Sequence, residues 1–275
     1  MIEIILLISA VLFIFALKLF GRPSTAHRAN SFAMLAMALA VFSAFNFDFS
    51  KYDSAFYITI VVSGLLGVLI SKRVQMTQMP ELVGLFNGFG GGASGAIAYV
   101  ELSNTSLPIS DVFVAIFSMV IGIFTFSGSL IAVLKLRGKL NNFSTKLGNI
   151  FSVFLPTILI IPAVLEMDTF LNEFIILVAL IAGVIRVAVI GGADMPVVIA
   201  FLNSLSGIAA MSAGFIVNSI ILIVAGALVG ASGIILTLLM CAAMNRTLLD
   251  VLKGGFGTTN TVSYTHLTLP TKEGV

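Results

Sequence analysis

"SIILIVAGALVGASGIILTLLMC" (residues 219–241) contains no charged side chain and no alternation of polar with apolar residues. A helix of about 20 mostly apolar residues crosses the roughly 30 Å hydrocarbon layer of a bilayer. A barrel strand would instead alternate with a period of two. Lipid offers the backbone no hydrogen bonds, so a continuously apolar run satisfies its own as a helix. Eight further runs read the same way, at about 2–20, 31–48, 54–71, 81–101, 110–134, 148–166, 172–190 and 196–217. The expected fold is an all-α membrane protein, a polytopic bundle of about nine transmembrane helices joined by short connections.

Composition excludes the water-soluble alternative. Of 275 residues 59% are hydrophobic and 9% charged, with a mean hydropathy of +1.16, against about 25% charged in a soluble domain. The single cysteine, Cys241, lies in an apolar run, so no disulfide framework is expected. A net charge of +2 is too small to suggest a nucleic-acid partner. The first run carries Glu3 and no small-residue cleavage site, which marks a retained helix rather than a signal peptide.

Lysine and arginine set the orientation. With the N-terminus outside, twelve fall on the inside: Lys18, Arg22, Arg28, Lys72, Arg73, Lys135, Arg137, Lys139, Lys146, Arg186, Arg246 and Lys253. Lys51 alone falls outside, and Lys272 is in the tail. The expected topology is N-terminus outside, C-terminus cytoplasmic.

"GGGASG" (90–95) matches the G-x-G-x-x-G spacing of a dinucleotide loop, but that mechanism needs a preceding strand, an exposed helix start and an acid about 20 residues on. These glycines lie inside a span, and their spacing of four suits close helix packing. Asn87 lies about 9 Å into its span and Asn203 roughly 10 Å into its own, at 1.5 Å per residue. Ser232 sits near the middle of the last span. A packing hydrogen bond would explain each singly; a shared wet path through the bundle would explain all three. No Asp, Glu, His or Lys lies near the middle of any span, with His27 read as a loop residue and His266 in the tail. An amide orients water but does not titrate near neutrality, so a proton path here needs a titrating group from another chain. Asp194 opens the eighth span, where capping would account for it, and Arg246 in "CAAMNR" (241–246) suits an inner-face anchor. With Lys72, Arg73 and "GGFG" (254–257) they outline a platform for a soluble domain.

"RVQMTQMPELVGLFNGF" (73–89), "IGGADMPVVIAFLNSLSG" (190–207) and "LIVAGALVGASGIILTLLMCAAMNRTLLDVLKGGFG" (222–257) closely resemble the beta subunit of proton-translocating NAD(P) transhydrogenase. The resemblance covers residues 1–257 and implies a nine-helix membrane domain. It implies proton movement coupled to hydride transfer from NADH to NADP⁺ in a complete complex. It also implies a soluble NADP(H) domain after "GGFG", and alpha-type subunits that supply further membrane helices and an NAD(H)-binding domain. The resemblance also implies a homodimer of the assembled unit in a bacterial inner membrane. Carried over by residue, Asn87, Asn203 and Ser232 belong to the proton path, and Asp194, Gly233 and Arg246 to its coupling with the nucleotide domain. Some family members carry a proton-bearing histidine where Asn87 stands; with asparagine here, that histidine is expected on an alpha-type partner. The segment 258–275 departs from the family's linker and reads as a foreign tail on a truncated chain. This chain alone is therefore expected to bind no nucleotide, to hold no metal and to catalyse nothing. The alternatives are a stand-alone secondary transporter, for which neither an inverted repeat nor a charged ligand in the bilayer is evident, and a purely structural membrane subunit.

Overall fold

The computed structural model describes residues 2–44, 53–103, 107–140 and 169–253, and among these there is no strand. Eight long helices follow one another: α1 (Ile2–Phe20), α2 (Ala26–Ala44), α3 (Ser54–Arg73), α4 (Met79–Leu102), α5 (Ile109–Leu136), α6 (Thr169–Ala188), α7 (Met195–Ile216) and α8 (Ile220–Ala243). A five-residue helix, α9 (Leu248–Leu252), completes the described chain. Eight of the nine predicted spans coincide with these helices, and the sixth, 148–166, lies outside the described residues. By length and apolarity α1, α3, α5, α7 and α8 suffice to cross a membrane. α4 is long enough at 24 residues, but Asn87 and its many glycines dilute its apolar character.

One boundary differs clearly. α2 begins at Ala26, five residues before the apolar run, and His27 therefore lies on its first turn rather than in a loop. The reason is local. The chain turns through a 3-10 segment, Pro23–Thr25, and the Thr25 hydroxyl donates to the Leu19 carbonyl at 2.5 Å. That turn closes at once, so "AHRAN" is helical although polar. Apolarity marks where a helix enters hydrocarbon, not where it starts.

α5 is the hub, packing against α4, α6 and α7, and α7 and α8 form the most extensive pair. The buried side chains fall into two clusters. Phe124, Met195, Val198, Leu202 and Cys241 fill one half of the bundle; Ile116, Met119, Val120 and Ile175 fill the other. Glycine makes the close pairs possible. A Cβ on Gly122 would stand 2.5 Å from the Gly91 carbonyl oxygen and 2.7 Å from the Gly95 nitrogen. Gly91 and Gly95 thus serve helix contact, as their spacing predicts. They leave no room for a phosphate, so the "GGGASG" stretch does not fit a nucleotide. The hairpin of α1 and α2 is tied by the Ser9 hydroxyl on the Ala36 carbonyl at 2.7 Å. α3 buries none of its residues within the chain.

Candidate functional site

The ends of α4 to α8 meet at one end of the bundle, where cations gather. Arg137, just past α5, pairs with Glu81 in the first turn of α4 at 2.6 Å. Lys135 is buried and donates to the carbonyls of Ala188 and Ile190. It thereby occupies carbonyls left open where α6 ends, the place where a cation is favoured. Those contacts hold the turn that leads through a 3-10 segment, Gly192–Asp194, into α7.

Asp194 stands at the N-cap position of α7, but its side chain makes no capping bond. Both carboxylate oxygens instead accept from Arg246 Nη1, at 2.7 and 2.6 Å. The Asp194 side chain is 3% exposed and that of Arg246 37%. Local backbone chemistry delivers the arginine. α8 ends with Asn245 at φ 52°, a left-handed conformation that asparagine tolerates better than most residues. The Arg246 N–H then returns to the Cys241 carbonyl at 2.9 Å, and that of Asn245 to Ala242 at 3.1 Å. This closure turns the chain back over the end of α8, and Arg246 reaches the start of α7. The two charged residues that the family resemblance assigned to coupling are thus one ion pair.

α9 follows directly. Thr247 and Asp250 cap it reciprocally, and Val251, fully buried, joins the same core cluster as Met195 and Cys241. The Thr247 hydroxyl, bonded to Asp250 at 2.5 Å, holds that carboxyl below its ordinary value. A lowered folded-state value stabilises the folded form at neutral pH, and this contribution drains as pH falls through that value. Amide protection of Leu248–Leu252, corrected for intrinsic exchange, is therefore expected to hold from pH 7 to about 5 and to fall below about pH 4. Asp250→Asn should abolish that dependence.

Deeper in the bundle, two to three turns inward from the cationic end, three helices exchange polar side chains. The Ser206 hydroxyl donates to Asn87 Oδ1 at 2.6 Å, and Asn87 Nδ2 donates to Ser129 Oγ at 2.9 Å. Asn87 is 8% exposed and Ser129 fully buried. The three lie on α4, α5 and α7 at matching depth: about 10–16 Å from the cationic end at 1.5 Å per residue. Glycine again sets the approach, since a Cβ on Gly88 would meet the Ser129 Cβ at 3.1 Å.

Asn203 is half-buried on α7, and its carbonyl accepts from the Ser206 hydroxyl at 3.0 Å. That contact is to the Asn203 backbone and shares the one Ser206 hydroxyl proton with Asn87 Oδ1, so it does not join the Asn203 amide to Asn87. Ser232 is not part of this group. It is exposed on α8 and donates to its own helix, at the Val229 carbonyl, at 3.1 Å. Its neighbour Gly233 faces inward, where a Cβ would stand 2.8 Å from Ser204 Cα. Ser129, Ser206 and Lys135 were not singled out from sequence. Serines are frequent in apolar helices and carry no signal alone, although Ser206 lies three residues from Asn203, on the same face. Lys135 counted only as one of many inner-face cations.

The model of the NAD(P) transhydrogenase beta subunit family matches residues 2–272. Two curated relatives from Rhodospirillum rubrum, both named NAD(P) transhydrogenase subunit beta, are 34% identical over 265 residues, covering 91% of this chain. The alignment covers 57% of each relative, so the chain spans little more than half their length. The matched interval passes Gly257, the boundary drawn from sequence, into residues outside those described. A bundle of apolar helices, an amide–hydroxyl cluster between three of them and a family match over nearly all its residues place this chain in the NAD(P) transhydrogenase beta subunit family.

Proposed function

We propose that this chain is the proton-translocating membrane part of NAD(P) transhydrogenase, coupling proton movement to hydride transfer from NADH to NADP⁺ in the complete complex. The observation that carries this is the directed set of hydrogen bonds from Ser206 to Asn87 to Ser129 across three helices. Buried amides and hydroxyls are costly in an apolar interior unless mutually satisfied, and such a set orients water along one direction. None of the three titrates near neutral pH. An alpha-type partner supplies the proton-carrying histidine, further membrane helices and the NAD(H) domain. The assembled unit is a homodimer in the bacterial inner membrane. The cationic end faces the cytoplasm, following the positive-inside rule. There Asp194 and Arg246, together with Gly233 deeper along α8 against Ser204, transmit the state of the NADP(H) domain of the complete complex. Ser232, on the outward face of α8, completes the path against partner helices.

The test uses the full-length beta subunit assembled with its partner in liposomes. Asn87→Leu conserves bulk but removes both bonds of the amide. Proton pumping and the hydride transfer linked to it are expected to fall at least tenfold, with assembly retained. Unchanged pumping in a properly assembled Asn87→Leu complex would sink the assignment.

A further inference from the structure

Two buried side-chain atoms among the described residues have no hydrogen-bond partner: Asn172 Oδ1 in the first turn of α6, and Thr125 Oγ1 at the middle of α5. Thr125 is the informative one. Its residue is fully buried, and its hydroxyl does not bond back to the helix carbonyl one turn before it, the usual resort of a helical threonine. An unsatisfied buried hydroxyl is rare in folded proteins and costs stability.

Its position is as telling as its valence. Thr125 lies four residues from Ser129, on the same face of α5. Ser129 accepts from Asn87, and its own hydroxyl proton goes to no described protein group. Two hydroxyls with open valences thus stand one helical turn apart. Residues so spaced are about 5–6 Å apart at Cβ, and two O–H···O bonds through one intervening oxygen reach from roughly 4.5 Å to at most about 5.5 Å between the end oxygens. Gly91 on α4 brings its backbone against this stretch, where an added Cβ would touch the Thr125 Cβ and Cγ2, each at 3.0 Å. The methyl of Thr125 therefore faces α4.

We infer that Thr125 is a further station of the seam, joined to Ser129 by a bound water that both hydroxyls hold. The inference rests on the proton-conducting reading and extends it. Along α5, Ser129 lies roughly 10 Å from the cationic end and Thr125 about 16 Å from it, one turn deeper, on a path that must cross roughly 30 Å of hydrocarbon. Thr125 is the next polar side chain on that face of α5. The water accepts from Ser129 and leaves Thr125 as the group that passes the orientation on towards the bundle centre. Thr125 is a positioning residue and does not itself ionise.

A high-resolution structure of the assembled full-length complex is expected to show an ordered water within hydrogen-bond distance of both hydroxyls, absent in Thr125→Val. Valine has nearly the same shape, so the fold should survive. The linked proton pumping of Thr125→Val should fall about tenfold, while Thr125→Ser, which keeps the hydroxyl, should stay within about twofold of the unaltered protein. If Thr125→Val fails to assemble, Thr125→Ala is read against Thr125→Ser in its place. A Thr125 hydroxyl bonded directly to a helix carbonyl, with no water, overturns the inference. So does a Thr125→Val complex with full pumping and a raised melting temperature, the result expected of a dry, unsatisfied hydroxyl. The underlying reading fails separately. If Asn87→Leu leaves pumping intact while the water is present, the water is structural and conduction lies elsewhere. If Asn87→Leu blocks pumping and no water is found at Thr125, only the present inference falls.

Discussion

Replacing Arg246 with methionine is expected to cost about 3 kcal/mol of stability, towards the lower end of the 3–5 kcal/mol typical when one partner of a buried pair is removed. The loss arises at the other residue. Asp194 is buried at 3% exposure and spends both oxygens on Arg246, so its carboxylate would be left charged and unpaired. The lower end applies because the guanidinium is partly exposed and water already screens that side. Thermal unfolding in detergent measures the loss. Adding Asp194→Asn to Arg246→Met should recover much of it, since the penalty of a buried lone charge then disappears. A double variant as unstable as Arg246→Met alone would show that packing by the arginine stem, not its charge, is what matters. On the proposed function, Arg246→Met should also uncouple hydride transfer from pumping, and the double variant should restore stability without restoring coupling.

The second large effect is expected at Gly207, where α7 and α8 lie against each other. A Cβ there would overlap the Gly230 nitrogen and stand 2.8 Å from Gly230 Cα and 2.9 Å from the Gly226 carbonyl oxygen. All three are backbone atoms, so no side chain can rotate away and the helices themselves must part. Gly207→Ala is expected to destabilise by about 1–3 kcal/mol, the range for overpacking a close-fitted interior. Separation would also stretch the bond from the Ser204 hydroxyl to the Gly230 carbonyl, now 2.7 Å. Gly90 is the control. It lies on the exposed face of α4 with nothing within 4 Å of its would-be Cβ, and Gly90→Ala should leave the melting temperature unchanged or slightly raised. Equal losses at the two positions would mean that the α7–α8 contact is looser than this geometry.

The contrast between Gly90 and Gly207 also shows what was legible beforehand. Apolar run length places helices in a membrane chain, because hydrocarbon admits no unpaired backbone, and eight helices lie where the runs predicted. Glycine spacing of four likewise announced that helices touch backbone to backbone. It did not say which glycines touch which helix: Gly90 and Gly91 are adjacent, yet one is exposed and the other meets Gly122. That choice depends on rotation about the helix axis, set by every neighbour at once.

The polar residues divide in the same way. From the residues alone, Asn87 and Asn203, set inside apolar spans, had to find partners, since the cost of burying a polar group in an apolar medium belongs to the group wherever it sits, whereas Asp194 read as a helix cap and Arg246 as an inner-face anchor. Which groups meet follows from how the helices pack. Asp194 meets Arg246, 52 positions away, because a left-handed asparagine turns the end of α8 over the start of α7. Asn87 meets Ser129 and Ser206, which are unremarkable until glycine contacts draw α4, α5 and α7 together. Ser232, read into the path from its depth and from the family resemblance, faces outward, because depth along a helix is fixed by residue number whereas direction is fixed by what the helix packs against.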